Sequence, residues 1–216
     1  AYDESAQDIL NMLQDHGYTV SGGKVTAARE GYELKTITFT VAGESTDHPA
    51  WQMFTNAKEV LAKIGIKVEV KTDQFALKKL ASGQLAVWAA AWSSTIDPDM
   101  YQVYHKLSTA GSTLNWGYNE IKKGGKYAYE LGLINDLSDL IDKARESTDN
   151  SENGTRAQLY WDALDLVMEL AVELPTYQRK DLTVYNKEKI DSATLNQNPT
   201  SFDGLFSRLW EVGYVR

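Results

Sequence analysis

The chain has 216 residues, of which 43% are hydrophobic and 24% are charged, and its formal net charge at pH 7 is -8. These are ordinary values for a globular protein, so they argue against an intrinsically disordered chain. The negative charge argues against a protein that grips phosphate backbones, because such proteins concentrate Lys and Arg. The absence of cysteine excludes disulfides, thiolate metal sites and thiol nucleophiles.

The first ninety residues are predicted to alternate between helices and strands. Apolar residues at helical spacing indicate the helices, apolar residues alternating with polar ones indicate the strands, and Gly and Pro mark the ends of these elements. The predicted elements are a helix over residues 5–16, a turn at 21–23, a strand over 34–41, a helix over 47–64, a strand over 66–70, a short helix over 73–80 and a strand over 85–92. The last of these is continuously apolar, which is typical of a central strand covered on both faces. Such an order predicts an α/β fold with a mostly parallel sheet flanked by helices.

The pattern changes after residue 92. Residues 93–127 are rich in Ser, Thr, Gly, Asn and aromatics and show little periodicity. Apolar spacing then predicts two helices, marked by residues 137–144 and 159–170, and a last strand over 176–185 before an irregular tail. No internal repeat or linker composition is visible, so a single domain over residues 1–216 is predicted.

The sequence contains no constellation that points to catalysis or to a cofactor. His16, His48 and His105 are far apart and share no metal-ligand spacing. Phosphate-binding, dinucleotide-binding and nucleophile-elbow motifs are absent. Asp97 and Asp99 flank a proline and are interpreted as caps in a loop. We therefore predict no metal site, no cofactor and no enzymatic activity.

Aromatic residues are concentrated after the last predicted strand of the first half. They are Trp88, Trp92, Tyr101, Tyr104, Trp116 and Tyr118. In open α/β sheets, ligands bind outside the carboxyl ends of the strands, where aromatic rings can stack on a ligand. Trp92 and Trp116 either line such a cleft or pack the loop onto the protein, whereas Trp88 is predicted to lie in the core.

Several short motifs follow one another in the order known from one protein family. They are Tyr2 to Ala6 with Gly17-Tyr18, Leu61 to Val68, Trp92 with Asp97-Pro98-Asp99, Asn115 to Asn119, Arg156-x-x-Leu159-Tyr160, and Glu173 to Tyr177. Each motif alone is weak, but their common order with sensible spacing is specific. Over nearly its whole length the chain resembles the family 5 extracellular solute-binding proteins, the oligopeptide, dipeptide and nickel binders of ABC importers.

This resemblance implies one lobe of a two-lobed periplasmic-binding-protein-like fold, with the C-terminal part present and the N-terminal lobe absent. It implies a substrate-binding component that holds a peptide or peptide-like solute in an interlobe cleft and delivers it to ABC permease subunits. The expected location is extracellular or periplasmic, with a lipoprotein anchor in the full-length protein, and no nucleic-acid partner is expected. The alternative is a protein-docking module of the same fold that contacts a permease or another partner without a small ligand of its own.

The ligand surface is predicted on the loop after the last strand and on a second aromatic segment. Its residues are Trp92, Ser93, Ser94, Thr95, Asp97, Asn115, Trp116 and Tyr118. Many peptide binders that the chain resembles carry an aspartate at the position of Thr95, where it pairs with the α-amine of the peptide. A threonine cannot supply that charge-assisted bond. A free peptide N-terminus is therefore not expected to be bound in the usual way, and the ligand is either a peptide or a non-peptide solute. Asp97 either replaces the missing carboxylate or caps a helix that begins near Pro98.

Overall fold

The computed structural model describes residues 2–90, 95–178, 180 and 182–215, with side chains from residue 6 onward. The strands are β1 (Thr19–Ser21), β2 (Lys24–Ala27), β3 (Ile37–Ala42), β4 (Val68–Asp73) and β5 (Val87–Ala89). The α-helices are α1 (Tyr2–Asp15), α2 (Pro49–Lys63), α3 (Ala76–Ala81), α4 (Tyr101–Tyr104), α5 (Gly111–Thr113), α6 (Asn119–Ile121), α7 (Ala128–Glu146) and α8 (Thr155–Leu170). No helix in this part of the chain is both long and apolar enough to cross a membrane.

The chain divides into two compact units. Unit 1 is drawn from residues 1–91 and 108–127, and unit 2 from residues 92–107 and 128–216. Unit 1 contains all five strands, whereas unit 2 is helical and ends in an irregular tail. That residues 1–216 form a single lobe stays a prediction.

A three-stranded parallel sheet organises unit 1. Strand β3 lies in the middle and pairs in parallel with β4 on one side and with β5 on the other. The predicted α/β class with a mostly parallel sheet flanked by helices is confirmed. The position predicted for the run over residues 85–92 is wrong, because β5 covers only Val87–Ala89 and lies at the edge of the described sheet. Apolar content did not reveal the central strand, because β3 alternates apolar residues with threonines and is nevertheless paired on both sides.

Helix α2 covers one face of this sheet. Pro49 begins the helix, and His48 caps it by accepting a hydrogen bond from the backbone N–H of Ala50 at 3.1 Å. Ala50 and Phe54 of the helix pack against Val41 of β3 in one buried cluster. Burying these side chains removes apolar surface from water, which is the main force that holds the helix on the sheet.

A small hairpin, β1–β2, joins α1 to the rest of unit 1. The strands are antiparallel and are connected by Gly22 and Gly23, whose φ angles of 59° and 71° suit the turn that matches the twist of a hairpin. Leu10, Val25 and Ile64 form a buried cluster beneath it. The predicted turn at residues 21–23 is therefore confirmed, although the sequence did not indicate the two short strands beside it.

Helices α7 and α8 form the core of unit 2. Leu137 and Ile141 of α7 are fully buried against Ala163 and Val167 of α8, as the apolar spacing predicts. Helix α8 ends at Ala171, the one non-glycine residue with positive φ in the described chain, at 54°. Its backbone N–H still donates to the carbonyl oxygen of Val167 at 3.1 Å, so the left-handed turn satisfies the end of the helix.

The predicted strand over residues 176–185 is wrong for the residues that the structure describes there. No strand is assigned in this range, and Leu182 and Val184 are 89% and 85% exposed. An alternating pattern becomes a strand only when a neighbour completes its hydrogen bonds. In the described tail the single bridge joins Ile190 to Tyr214.

The carboxylate of Asp149 holds the N-terminus of α8. It accepts hydrogen bonds from the Ser151 N–H at 3.2 Å, the Ser151 hydroxyl at 2.7 Å and the Thr155 N–H at 2.8 Å. These donors favour the ionised form, so they lower the pKa of Asp149 from 3.8 to about 2, with the Ser151 hydroxyl as the largest cause.

Because the pKa of Asp149 is lower in the folded state, its contribution to stability is present above pH 4. We expect that contribution to disappear as the pH falls from about 4 to about 2. The melting temperature of Asp149→Asn should therefore lie below that of the wild type at pH 6, and the two should converge toward pH 2. Asp165→Asn, at an exposed position within α8, is the control. A constant difference across the whole range would contradict the assignment.

Candidate functional site

The residues predicted to bind a ligand fall into three groups. Trp92, Ser93 and Ser94 lie outside the described residues. Thr95 and Asp97 belong to unit 2, whereas Asn115, Trp116 and Tyr118 belong to unit 1. The structure describes the second and third groups, each within its own unit, and the joining of the groups into one site stays a prediction.

In unit 2, the carboxylate of Asp97 is paired with an arginine from α8. It accepts a hydrogen bond from Nη2 of Arg156, whose side chain is only 18% exposed. The other terminal nitrogen of Arg156 donates to Oδ1 of Asn150 at 3.0 Å. The hydroxyl of Thr95 donates to the carbonyl oxygen of Asp97, so the loop is closed on itself. Asp97 therefore already has a cationic partner within its own unit.

The second carboxylate of this loop, on Asp99, is also occupied. Its Oδ1 accepts from the backbone N–H of Tyr101, the first residue of α4, at 2.9 Å. Its Oδ2 lies 3.2 Å from Nε of Arg145, a residue of α7 whose guanidinium lies 4.4 Å from the centre of the Tyr101 ring. The hydrogen bond to the first N–H of α4, considered for Asp97, is thus accepted by Asp99, one residue before the N-cap Met100. In this segment both acids bind internal partners.

Unit 1 carries the second part of the predicted site in Leu114–Tyr118, a segment with π-helical hydrogen bonding in which two helical stretches meet at a kink. Gly117 has a φ of 116°, a backbone conformation that suits glycine. Tyr118 at the end of the segment is fully buried, and burial raises the pKa of its hydroxyl. In this structure Tyr118 therefore supports the segment from beneath.

Asn115 ties the π-helical segment to α3. Its side-chain amide donates to the carbonyl oxygen of Ala81, the last residue of α3, at 2.6 Å. The same side chain lies against Gly83, where an added Cβ atom would come within 3.0 Å of its Oδ1. Asn115, predicted as a ligand residue, thus has a positioning role in unit 1.

Trp88, predicted to lie in the core, is half-buried. Its neighbours Val87 and Ala89 pack against the α2 cluster, so strand alternation directs Trp88 to the opposite face of the sheet. There its ring is stacked on that of Trp116, with centroids 6.5 Å apart and planes inclined by 19°. Both tryptophans are half-buried. The alternation of residues 87–89 was the signal that could have separated Trp88 from the core.

The described residues contain no group of three or more His, Asp or Glu side chains placed to hold a metal ion. The described residues of the predicted site offer aromatic faces in unit 1, and hydroxyl, backbone and arginine-paired carboxylate groups in unit 2.

Comparison with solved structures finds similar folds in ligand-bound binding proteins. NikZ from Campylobacter jejuni, in complex with Ni(L-His), has a TM-score of 0.54 at 15% identity, and the match covers 77% of this chain and 30% of NikZ. AppA from Bacillus subtilis, an oligopeptide-binding protein in complex with a nonapeptide, has a TM-score of 0.54 at 14% identity, covering 99% and 37%. NikA from Brucella suis, in complex with Fe(III)-EDTA, has a TM-score of 0.52 at 20% identity, covering 75% and 30%.

These similarities define the fold, which is that of a lobe of a periplasmic binding protein. The chain spans about a third of the length of the structures that it matches. No protein-family model matches the sequence. No curated protein matches it either.

Proposed function

We propose that this chain is the C-terminal lobe of the substrate-binding component of an ABC importer, in the family 5 solute-binding class. The observation that carries the proposal is the parallel-sheet lobe shared with binding proteins that hold a nickel chelate or a peptide. The order of sequence motifs, from Trp92 and Asp97-Pro98 to Arg156 and Glu173-Leu174-Pro175, supports the same class. The proposal includes an N-terminal lobe in the full-length protein and ABC permease subunits as partners. It also includes an extracellular or periplasmic location with a lipoprotein anchor.

We propose a peptide or peptide-like solute as the ligand, with Trp92, Ser93, Ser94, Thr95, Asp97, Asn115, Trp116 and Tyr118 as its binding residues. Thr95 offers a hydroxyl instead of a carboxylate, and the acids that follow are paired with Arg156 and Arg145. These pairs favour a ligand that presents uncharged amide groups to the loop, because each carboxylate there is already balanced by an arginine.

Native mass spectrometry of the full-length protein, purified from its host, tests this function. A solute-binding protein is expected to carry a bound small molecule or peptide, seen as a mass increment that is lost under denaturing conditions. A protein that is isolated without any increment, and that takes up none from a peptide library, would contradict the proposal.

A protein-docking role is the second candidate, and one observation favours it. Trp161, Leu164 and Met168 project from one side of α8, and each is 45–47% exposed. Apolar side chains aligned in this way suit a partner surface. The same mass-spectrometry experiment separates the two candidates, since a docking module would be isolated with a protein and without a small ligand.

The tryptophans of the proposed site give a further testable result. In the full-length protein, Trp116→Ala and Trp92→Ala are each expected to weaken ligand binding while leaving the melting temperature nearly unchanged. Loss of one stacked ring removes about 0.5–1.5 kcal/mol beyond the loss of burial, or about 2- to 12-fold in the dissociation constant. Trp161→Ala on α8 is the matched control. A large fall in melting temperature with unchanged affinity per folded molecule would place these rings in the core.

A further inference from the structure

We propose that Trp88 and Trp116 together form an aromatic subsite in unit 1 that binds a planar side chain or ring of the ligand. Trp88 thereby becomes a specificity-determining residue, which the motif resemblance did not indicate. This inference rests on the proposed ligand-binding function, and it names the chemical class of one ligand group.

The relation between the two rings carries the proposal. Their centroids are 6.5 Å apart and their planes are inclined by only 19°, so the two indoles stack on each other and form one extended aromatic surface. Each side chain is half-buried, so part of its surface remains accessible while the rest is held by the protein. Large aromatic surfaces that are partly accessible and held on a rigid frame are typical linings of small-molecule sites.

Strand pairing fixes the position of Trp88. It stands opposite Thr40 in the parallel register of β3 and β5. Val87 and Ala89, on either side, are directed into the cluster around Val41. Rotation of Trp88 into that cluster would require a register shift of β5, which would move every side chain of the strand to the other face. The orientation of Trp88 is therefore built into the sheet.

Trp116 is fixed by different means. It lies in the π-helical segment that Asn115 ties to the carbonyl oxygen of Ala81 at 2.6 Å. Beneath it, the fully buried side chains of Thr113 and Tyr118 anchor the same segment in unit 1. A site whose residues are held in place before binding loses less conformational freedom when the ligand arrives. Both rings of the proposed subsite are thus held in place before a ligand binds.

The chemistry of two parallel indoles selects a planar group. Aromatic rings attract one another through offset-stacked or edge-to-face contacts, which a saturated ring of similar size cannot reproduce. An aromatic side chain of a peptide is therefore the expected occupant. A branched aliphatic side chain would gain only the general benefit of burial.

A matched pair of probes tests the subsite in the 216-residue chain labelled with 15N. N-acetyl-phenylalanine amide and N-acetyl-cyclohexylalanine amide have similar size and no charge, and they differ in the planarity and aromaticity of the ring. The chain has six tryptophans, so six indole N–H signals report the response. We expect the signals of Trp88 and Trp116 to shift with the aromatic probe, and binding of the saturated probe to be about 2- to 12-fold weaker.

Variants assign the response to the pair. Trp88→Leu and Trp116→Leu should each abolish the shift of the remaining partner, whereas Trp161→Leu in unit 2 should leave both shifts intact. Equal responses to the two probes, or no response at Trp88 and Trp116 in the wild-type chain, would overturn the subsite whether or not the leucine variants fold. A full-length protein that retains a ligand in native mass spectrometry while these indoles ignore the aromatic probe would overturn the subsite alone. An isolated protein without any ligand would instead overturn the proposed function.

Discussion

Replacing Gly65 with alanine is expected to destabilise the chain by roughly 2–5 kcal/mol. Gly65 follows α2 with a φ of 86°, which costs a residue with a Cβ atom roughly 1–2 kcal/mol. An added Cβ would also lie only 2.6 Å from the carbonyl oxygen of Val25 in the hairpin. Relief of that overlap would break the hydrogen bond from the Val25 N–H to the Ile64 carbonyl oxygen, which measures 2.8 Å. Urea denaturation of the two proteins measures the difference.

Gly31→Ala separates the cost of the positive φ from the cost of the overlap with Val25. Gly31 has a similar φ of 80°, but nothing lies within 4 Å of a Cβ atom added there. This control should lose only the conformational part, roughly 1–2 kcal/mol. Equal losses for the two variants would show that the contact between Gly65 and the hairpin has no energetic weight.

The second large effect is expected at Tyr118. Its side chain is 0% exposed, so Tyr118→Ala should cost about 3–5 kcal/mol, as is usual when a large buried ring is removed. Thermal unfolding followed by circular dichroism measures this loss. Because the ring supports the π-helical segment, the variant should lose ligand binding through loss of structure.

Tyr118→Phe keeps the ring and should remain much more stable than Tyr118→Ala. Trp116→Ala, at a half-buried ring of the same segment, is the comparison for a surface role. If Tyr118→Ala unfolded at the wild-type temperature, the ring would not be part of the core, and a direct role in binding the ligand would become the better interpretation.

The regular part of the fold could be predicted because it follows simple periodicities. Helices α2, α7 and α8 carry apolar residues at helical spacing with recognisable starts, such as His48-Pro49 before α2. Strands β3 and β4 alternate as expected. The hairpin strands β1 and β2 are three and four residues long, too short for a periodic signal, and only Gly22-Gly23 marked their place.

Two errors in the fold have a common cause, since strand position depends on neighbours. The apolar run that ends in β5 suggested a central strand. In the structure β3 is the central strand, paired with β4 on one side and β5 on the other. The alternating residues 176–185 suggested a strand, yet those that are described find no ladder. A sequence window reports which faces a segment can bury, and it does not report what lies beside it.

For the candidate site, the sequence indicated the aromatic segments but not the internal contacts that hold their residues in place. Asp97 and Arg156 are 59 residues apart, so nothing local linked them. Similarly, the stacking of Trp88 on Trp116 depends on the sheet and on the π-helical segment together. The residue types were sufficient to propose a recognition surface. The partners of Asp97 and Asp99 could be identified only from the three-dimensional structure.

The left-handed Ala171 at the end of α8 has a practical consequence for protein engineering. Glycine adopts this conformation without the Cβ strain that alanine carries, so Ala171→Gly relieves that strain at a point where the helix has already ended. The change touches none of the residues proposed to bind a ligand. It therefore offers a way to make unit 2 more heat-resistant. Destabilised variants of the recognition surface could then be produced and compared in this stabilised background.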